Sequence, residues 1–177
     1  MRRLGAEPIR TERLVLLPLA VEHADEMAKA LADPSLHTFV GGAPDTVEAL
    51  RSRYARMLAG APDPAVSWCN WVISLRAESC LAGTVQATVS RSGHGRTAEV
   101  AWVVGMPWQG RGVATEAARA LVGWLADRSV HTAVAHVHPD HLASAAVAAA
   151  AGLRPTDRVR DGEVRWQADL AVSPRPS

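Results

Sequence analysis

The chain has 177 residues, 48% of them hydrophobic and 21% charged, and its 19 basic and 18 acidic residues leave a formal net charge of +1. That length suits a single domain over residues 1–177, large enough to bury a core without disulfides or metals. The composition excludes a disordered or fibrous chain, and the charge balance argues against a nucleic acid as partner.

Leu14 to Pro18 is a short apolar run of strand type closed by a proline. Val21 to Ala32 is rich in helix formers and stops before Asp33-Pro34. Residues 33–45 hold two prolines and Gly41-Gly42 and read as a loop. A second helix is expected from Asp45, with Glu48 as its capping-box partner, to Ala59 before Gly60. The period then becomes that of strands over 68–75, 81–89 and 97–104, with short connectors at 76–79 and 90–96. It returns to helical from Gly112 to Arg128. A strand follows over 132–138, then an alanine-rich helix over 141–151 closed by Gly152. Residues 153–159 and 164–172 form a last strand pair turned at Asp161-Gly162, and the tail 173–177 is expected to fray. The order β-α-α-β-β-β-α-β-α-β-β predicts a mixed α/β fold with a central antiparallel meander and later helical crossovers.

Eighteen of the basic residues are Arg, and the four at Arg2, Arg3, Arg10 and Arg13 are too few for a nucleic-acid-binding arm. Cys69 and Cys80 flank the first expected hairpin among apolar neighbours and read as free thiols in a reducing compartment. No apolar run approaches the ~20 residues of a spanning helix. The first twenty residues carry Glu7, Pro8, Glu12 and Pro18 and lack a signal-peptide core. A cytoplasmic location, without a membrane partner, is the expectation.

The segment that carries chemistry runs from Glu99 on a strand, through Gln109-Gly110-Arg111-Gly112, to Val113, Ala114 and Thr115 at a helix start. Glycines at 110 and 112 permit positive φ and close approach to a ligand. The free N–H groups and positive dipole end of a helix's first turn bind anions, and Thr115 is placed to help. Such a loop holds a phosphate or pyrophosphate, although glycine-rich turns also serve packing alone. It is neither a P-loop nor the dinucleotide fingerprint, since the Gly-Lys-Ser/Thr ending and the third glycine are both missing.

The loop resembles that of the GNAT superfamily of N-acetyltransferases, Gln/Arg-x-x-Gly-x-Gly/Ala, met here as Gln109-Gly-Arg-Gly112-Val-Ala114. The opening Ile9-Arg-Thr-Glu-Arg-Leu-Val-Leu-Leu-Pro18, and Gly152-Leu153 after the alanine-rich helix, look like the branch of ribosomal-protein N-acetyltransferases. The resemblance covers residues 9–170 and implies a mostly antiparallel central sheet with flanking helices and a splayed strand at an acetyl-CoA site. It implies that backbone amides from Gly110 to Thr115 take the pyrophosphate, and that Trp102, Val103 and Val104 pair with the pantetheine as a strand would. No metal is implied. Dimerisation is a habit of the family.

Acetyl transfer to an amine needs the amine neutral, and an alkylamine holds its proton to pH ~10. Glu99 stands where the family often places a carboxylate and is the candidate base, directly or through water. The other reading is a carboxylate salt-bridged to an arginine. A backbone N–H of the same strand would meet the developing oxyanion. Many relatives carry a tyrosine on the last helix as the acid for the thiolate; here that position is Ala148. The branch often has Asn-x-x-Ser at that helix's start, and here it reads His141-Leu-Ala-Ser144. Ser144 is retained as a second catalytic candidate, and His141 replaces the asparagine at the cofactor. Phe39, Trp68 and Trp71 are candidates to line an acceptor cleft for a small-molecule amine or a protein N-terminus.

Two other classes remain open from sequence. Without the tyrosine, the chain fits a non-catalytic CoA-binding or sensor module. His136-Val-His138-Pro-Asp140-His141 also fits the His-x-His-x-Asp-His motif of zinc hydrolases, but no histidine follows His141 to complete a metal site.

Overall fold

The computed structural model describes residues 3–171; Arg2 and the tail expected to fray lie outside the described residues. One eight-stranded sheet runs through the molecule. Its strands are β1 (Ile9–Arg10), β2 (Leu14–Pro18), β3 (Ser67–Leu75), β4 (Cys80–Ser92), β5 (Gly95–Val104), β6 (Thr132–Val137), β7 (Arg154–Arg160) and β8 (Glu163–Asp169). The spatial order is β1-β2-β3-β4-β5-β6-β8-β7, and only β5 and β6 are parallel. This is the mixed, mostly antiparallel sheet that the element order and the resemblance imply.

The helices divide between the faces. α1 (Ala24–Ala30) and α2 (Val47–Ala59) cover one face, where Met27, Leu50 and Tyr54 close over Val72 and Leu81. α3 (Val113–Ala126) and α4 (Leu142–Ala150) cover the other. α3 presents Val113, Ala117, Leu121 and Leu125 at helical spacing, all buried, to Trp71 and Val85 of the sheet. Trp71 meets Trp124 edge-on at 5.0 Å, and its indole N–H donates to the Glu7 carbonyl at 2.8 Å.

Several boundaries move from their expected places for local reasons. The first expected helix opens as a 3-10 turn over Val21–His23. The cap of α2 is Thr46, whose hydroxyl accepts from the Ala49 N–H at 3.1 Å. Asp45 instead pairs with Arg53 at 2.7 Å. The connector expected over 90–96 shrinks to Gly93-His94, because pairing continues through Arg91↔Arg96 and Ser92↔Gly95. The last hairpin turns at Asp161-Gly162, both at positive φ (51° and 80°), as a tight two-residue turn requires. Cys69 lies opposite Ala87 and Cys80 opposite Leu75, so the two free thiols sit far apart on one hairpin. Burial pushes the Cys69 thiol up to about 11. Among the described residues, no helix is long and apolar enough to cross a membrane.

Candidate active site

The site begins where the parallel pair comes apart. β5 and β6 pair at Thr97↔Thr132, Ala98↔Ala133 and Glu99↔Val134, and there the pairing stops. Beyond it β5 continues to Val104 beside β4 alone, and β6 continues to Val137 beside β8 alone. The result is a fork with two open edges whose apex is Glu99. Val103 on the β5 arm and Met106 in the 3-10 turn just beyond it remain 41% exposed despite being apolar.

At the open end the β5 arm runs into the glycine loop and α3. Gly110 and Gly112 have φ of 73° and 74°, the left-handed region. Gly112 caps α3 without any side-chain bond, so the first-turn N–H groups of Val113, Ala114 and Thr115 have no carbonyl a turn earlier. Gln109 donates its side-chain N–H to the Val104 carbonyl at 3.0 Å and fixes the turn. Val113 is buried, so only its backbone can face a ligand.

The loop is braced from both sides. Arg13 donates from Nη1 to the Arg111 carbonyl at 2.8 Å and from Nε to Glu116 at 2.7 Å. Glu116 also accepts from the Thr11 hydroxyl at 2.5 Å and the Arg13 N–H at 3.0 Å. Burial would raise the Glu116 carboxyl, but these bonds outweigh it and hold it below its ordinary value. Arg111 reaches the other way, to Glu78 in the β3–β4 turn at 2.5 Å. The amino-terminal Thr11-Glu12-Arg13 thus has a visible task, which is to hold the loop.

Glu99 stands at the apex on the face that α1 and α2 leave open. Its Oε1 accepts from Arg160 Nη2 at 2.5 Å and lies 3.2 Å from His136 Nδ1. Burial would raise this carboxyl, but the hydrogen bonds and charge of Arg160, with His136, hold it below its ordinary value. The salt-bridged reading of Glu99 is therefore a structural fact. The paired carboxylate is half-exposed and opens to the cleft. His136 Nδ1 also lies 3.1 Å from Arg160 Nη2, so it either donates to Glu99 or accepts from Arg160. A cleft of about 380 Å³ opens here, lined by Glu99, His136, Arg158, Arg160 and Arg165 over Val134.

On the opposite face the fork is bridged. Trp102 donates its indole N–H to the Ser144 hydroxyl at 3.2 Å, tying the β5 arm to the first turn of α4. Ser144 accepts in that bond and keeps its own proton to donate. Ala148 is fully buried against the core, and the tyrosine hydroxyl of the chain, on Tyr54, is buried beneath α2 with no partner. His141 caps α4 from outside and stacks on Phe39 at 4.5 Å between ring centres.

The three candidates for an acceptor cleft need correction or relocation. Trp71 does not line a cleft: it is fully buried on the α3 face, because three steps along a strand reverse the side of the sheet that Trp68 occupies. Trp68 shares a row with Thr88 and Glu99 and is 38% exposed, but it lies two strands away, outside the cleft lining. Phe39 packs on His138 and His141 at the other side. The His-x-His-x-Asp-His residues do not converge. His136 faces Glu99 and Arg160, His138 accepts from the Asp140 N–H at 3.1 Å, and His141 stacks on Phe39. Among the described residues no three His, Cys, Asp or Glu side chains group as a metal site requires.

Arg158, Arg160 and Arg165 went unforeseen. Only the order β6-β8-β7 brings them to Glu99, and no local pattern announces that order.

A forked parallel pair leads here into a glycine turn and a helix start with no side-chain cap. The chain belongs to the GNAT family of acetyltransferases: the family model described as acetyltransferase (GNAT) domain matches residues 13–154. It is accordingly an N-acetyltransferase by class. No curated protein matches it by sequence. Among solved structures it is similar to a GNAT-family acetyltransferase from Bacillus anthracis, at 19% identity and a TM-score of 0.76, over 92% of this chain and 98% of that one. It is similar to RimL, a ribosomal-protein alpha-N-acetyltransferase solved with coenzyme A, at 15% identity and 0.76, over 94% and 100%. A third likeness is AAC(6')-Ib with paromomycin and acetyl-CoA, at 18% and 0.73, over 89% and 94%. Identities this low speak to the fold alone.

Proposed function

We propose that the chain moves the acetyl group of acetyl-CoA to a primary amine by direct attack. The fork carries this reading. Its open β5 edge offers backbone donors and acceptors to the pantetheine amides, and exposed Val103 and Met106 give its arm an apolar wall. The uncapped start of α3 receives the pyrophosphate. The solved complexes of RimL with coenzyme A and of AAC(6')-Ib with acetyl-CoA support the cosubstrate.

The acceptor enters by the cleft at Glu99. The nitrogen lone pair attacks the thioester carbon, and a backbone N–H of β5 meets the oxyanion. As the C–N bond forms the nitrogen becomes cationic, and Glu99, held ionised, accepts its proton directly or through a water. The C–S bond then breaks with its electron pair on sulfur. Ser144, oriented by Trp102, supplies a proton to the thiolate and recovers one from solvent.

The test is release of free thiol from acetyl-CoA against a panel of primary amines, with CoA binding measured in parallel. Amine-dependent thiol release supports transfer. CoA binding without release under any amine would make the chain a binding module instead.

A further inference from the structure

The cleft beside Glu99 is electrostatically one-sided. Three arginines, Arg158, Arg160 and Arg165, line it against one carboxylate, in a chain whose formal net charge is only +1. Arg160 is already matched by Glu99. The other two have no carboxylate within salt-bridge distance among the described residues.

Arg165 is the more telling of the pair. It lies on β8 directly opposite His136 of β6 and is half-buried. One Nη2 bond goes to Gln167 at 3.0 Å. Its Nε is fully buried and has no hydrogen-bond partner. Natural proteins rarely leave a buried cationic N–H unmatched, and Arg165 lines the cleft with no carboxylate opposite its charge, so an oxyanion in the cleft would offset that charge. Arg158 reaches the same cleft from the irregular stretch of β7, with its guanidinium exposed. The planar fork of arginine suits a carboxylate or phosphate. Thr88 and Thr97, on the cleft floor, add hydroxyl donors.

We propose that the acceptor is a small primary amine that also carries a carboxylate or phosphate group, held by Arg165 and Arg158 while its nitrogen faces Glu99. This rests on the acetyl-transfer reading above. A volume of about 380 Å³ is at the small end of sites for small molecules. A polycationic acceptor meets repulsion here, since the single carboxylate is already engaged by Arg160.

The experiment uses matched acceptors: β-alanine against β-alaninamide, and 2-aminoethyl phosphate against ethanolamine, with spermidine as the polycation. The favoured acid should exceed its neutral partner by ~10–100-fold in kcat/KM, the range of a charge-assisted bond. The pair in which this holds tells carboxylate from phosphate. Arg165→Gln should remove the discrimination, bringing kcat/KM for the acid down to that of its neutral partner in the same variant, and Arg165→Lys should restore part of it. Independently of turnover, inorganic phosphate should shift the Nε–H resonances of Arg165 and Arg158 saturably in ¹⁵N-labelled protein. The exposed variant Arg158→Gln should weaken that binding without unfolding. Transfer that favours neutral amines or spermidine overturns the inference and leaves acetyl transfer standing. No response to phosphate and no acid–amide difference overturns it as well. Phosphate binding without thiol release from any amine keeps the anion site and sinks the transfer reading.

Discussion

The two ends of the fork differ in how their charges are settled. At the loop end the charged side chains that brace the turn are paired: Arg13 with Glu116, Arg111 with Glu78. At the acceptor end Glu99 and Arg160 are paired, while Arg165 and Arg158 are not. The first end is braced by protein before any ligand arrives, and on the proposed reading it recognises CoA with backbone N–H groups. The second leaves side-chain charge for a ligand to complete. A common cosubstrate needs a rigid cradle, whereas acceptor choice lies in side chains that can vary without moving the backbone.

The comparison breaks most sharply at Gly112. Its φ of 74° strains any other residue, and an added Cβ would sit 3.3 Å from Arg13 Nη2. Gly112→Glu should lower CoA affinity by ~100-fold or more, through strain and through a carboxylate facing the diphosphate. Calorimetry on protein shown to be folded measures this, and unchanged affinity would place CoA elsewhere. At the other end, Glu99→Gln keeps the shape and removes the charge. The acetyl-transfer rate should fall by ~10²-fold with CoA affinity unaltered. A rate equal to wild type would confine Glu99 to holding Arg160.

Smaller effects sharpen the contrast. Ser144→Ala should reduce kcat by ~10-fold, with KM for the amine little changed, because only proton delivery to sulfur is affected. Arg13→Gln removes the bonds to Arg111 and Glu116 and should weaken CoA about fivefold, yet leave acceptor preference intact. If acceptor preference changes instead, the two ends are not independent.

The smallest effect is in acid stability. Glu116 has its folded pKa below the ordinary value of 4.5, so its contribution is present above that value and is lost as pH falls through the folded one. Glu116→Gln has no such contribution to lose. The gap in Tm between the two proteins should therefore narrow as pH drops below 4.5. A gap that widens in acid would show that Glu116 does not gain its charge preference from Thr11 and Arg13.

What the sequence determined by itself was local. The periods of β3, β4 and α3 and the turn glycines at 110, 112 and 162 depend on neighbours within a few residues, so element order and the loop could be read directly. Alternation along β3 was equally legible, and it separates Trp68 from Trp71; grouping them by residue type ignored it. The tertiary structure alone decided what meets at the fork. Glu99 reaches His136 through the register of the one parallel pair, and Arg160 and Arg165 through the insertion of β8 between β6 and β7. Trp102 finds Ser144 across 42 residues, and Thr11 and Arg13 find Glu116 across more than a hundred. Such contacts follow from how strands are ordered and paired. That ordering is set by the packing of the whole sheet against its helices, and no short stretch of chain encodes it.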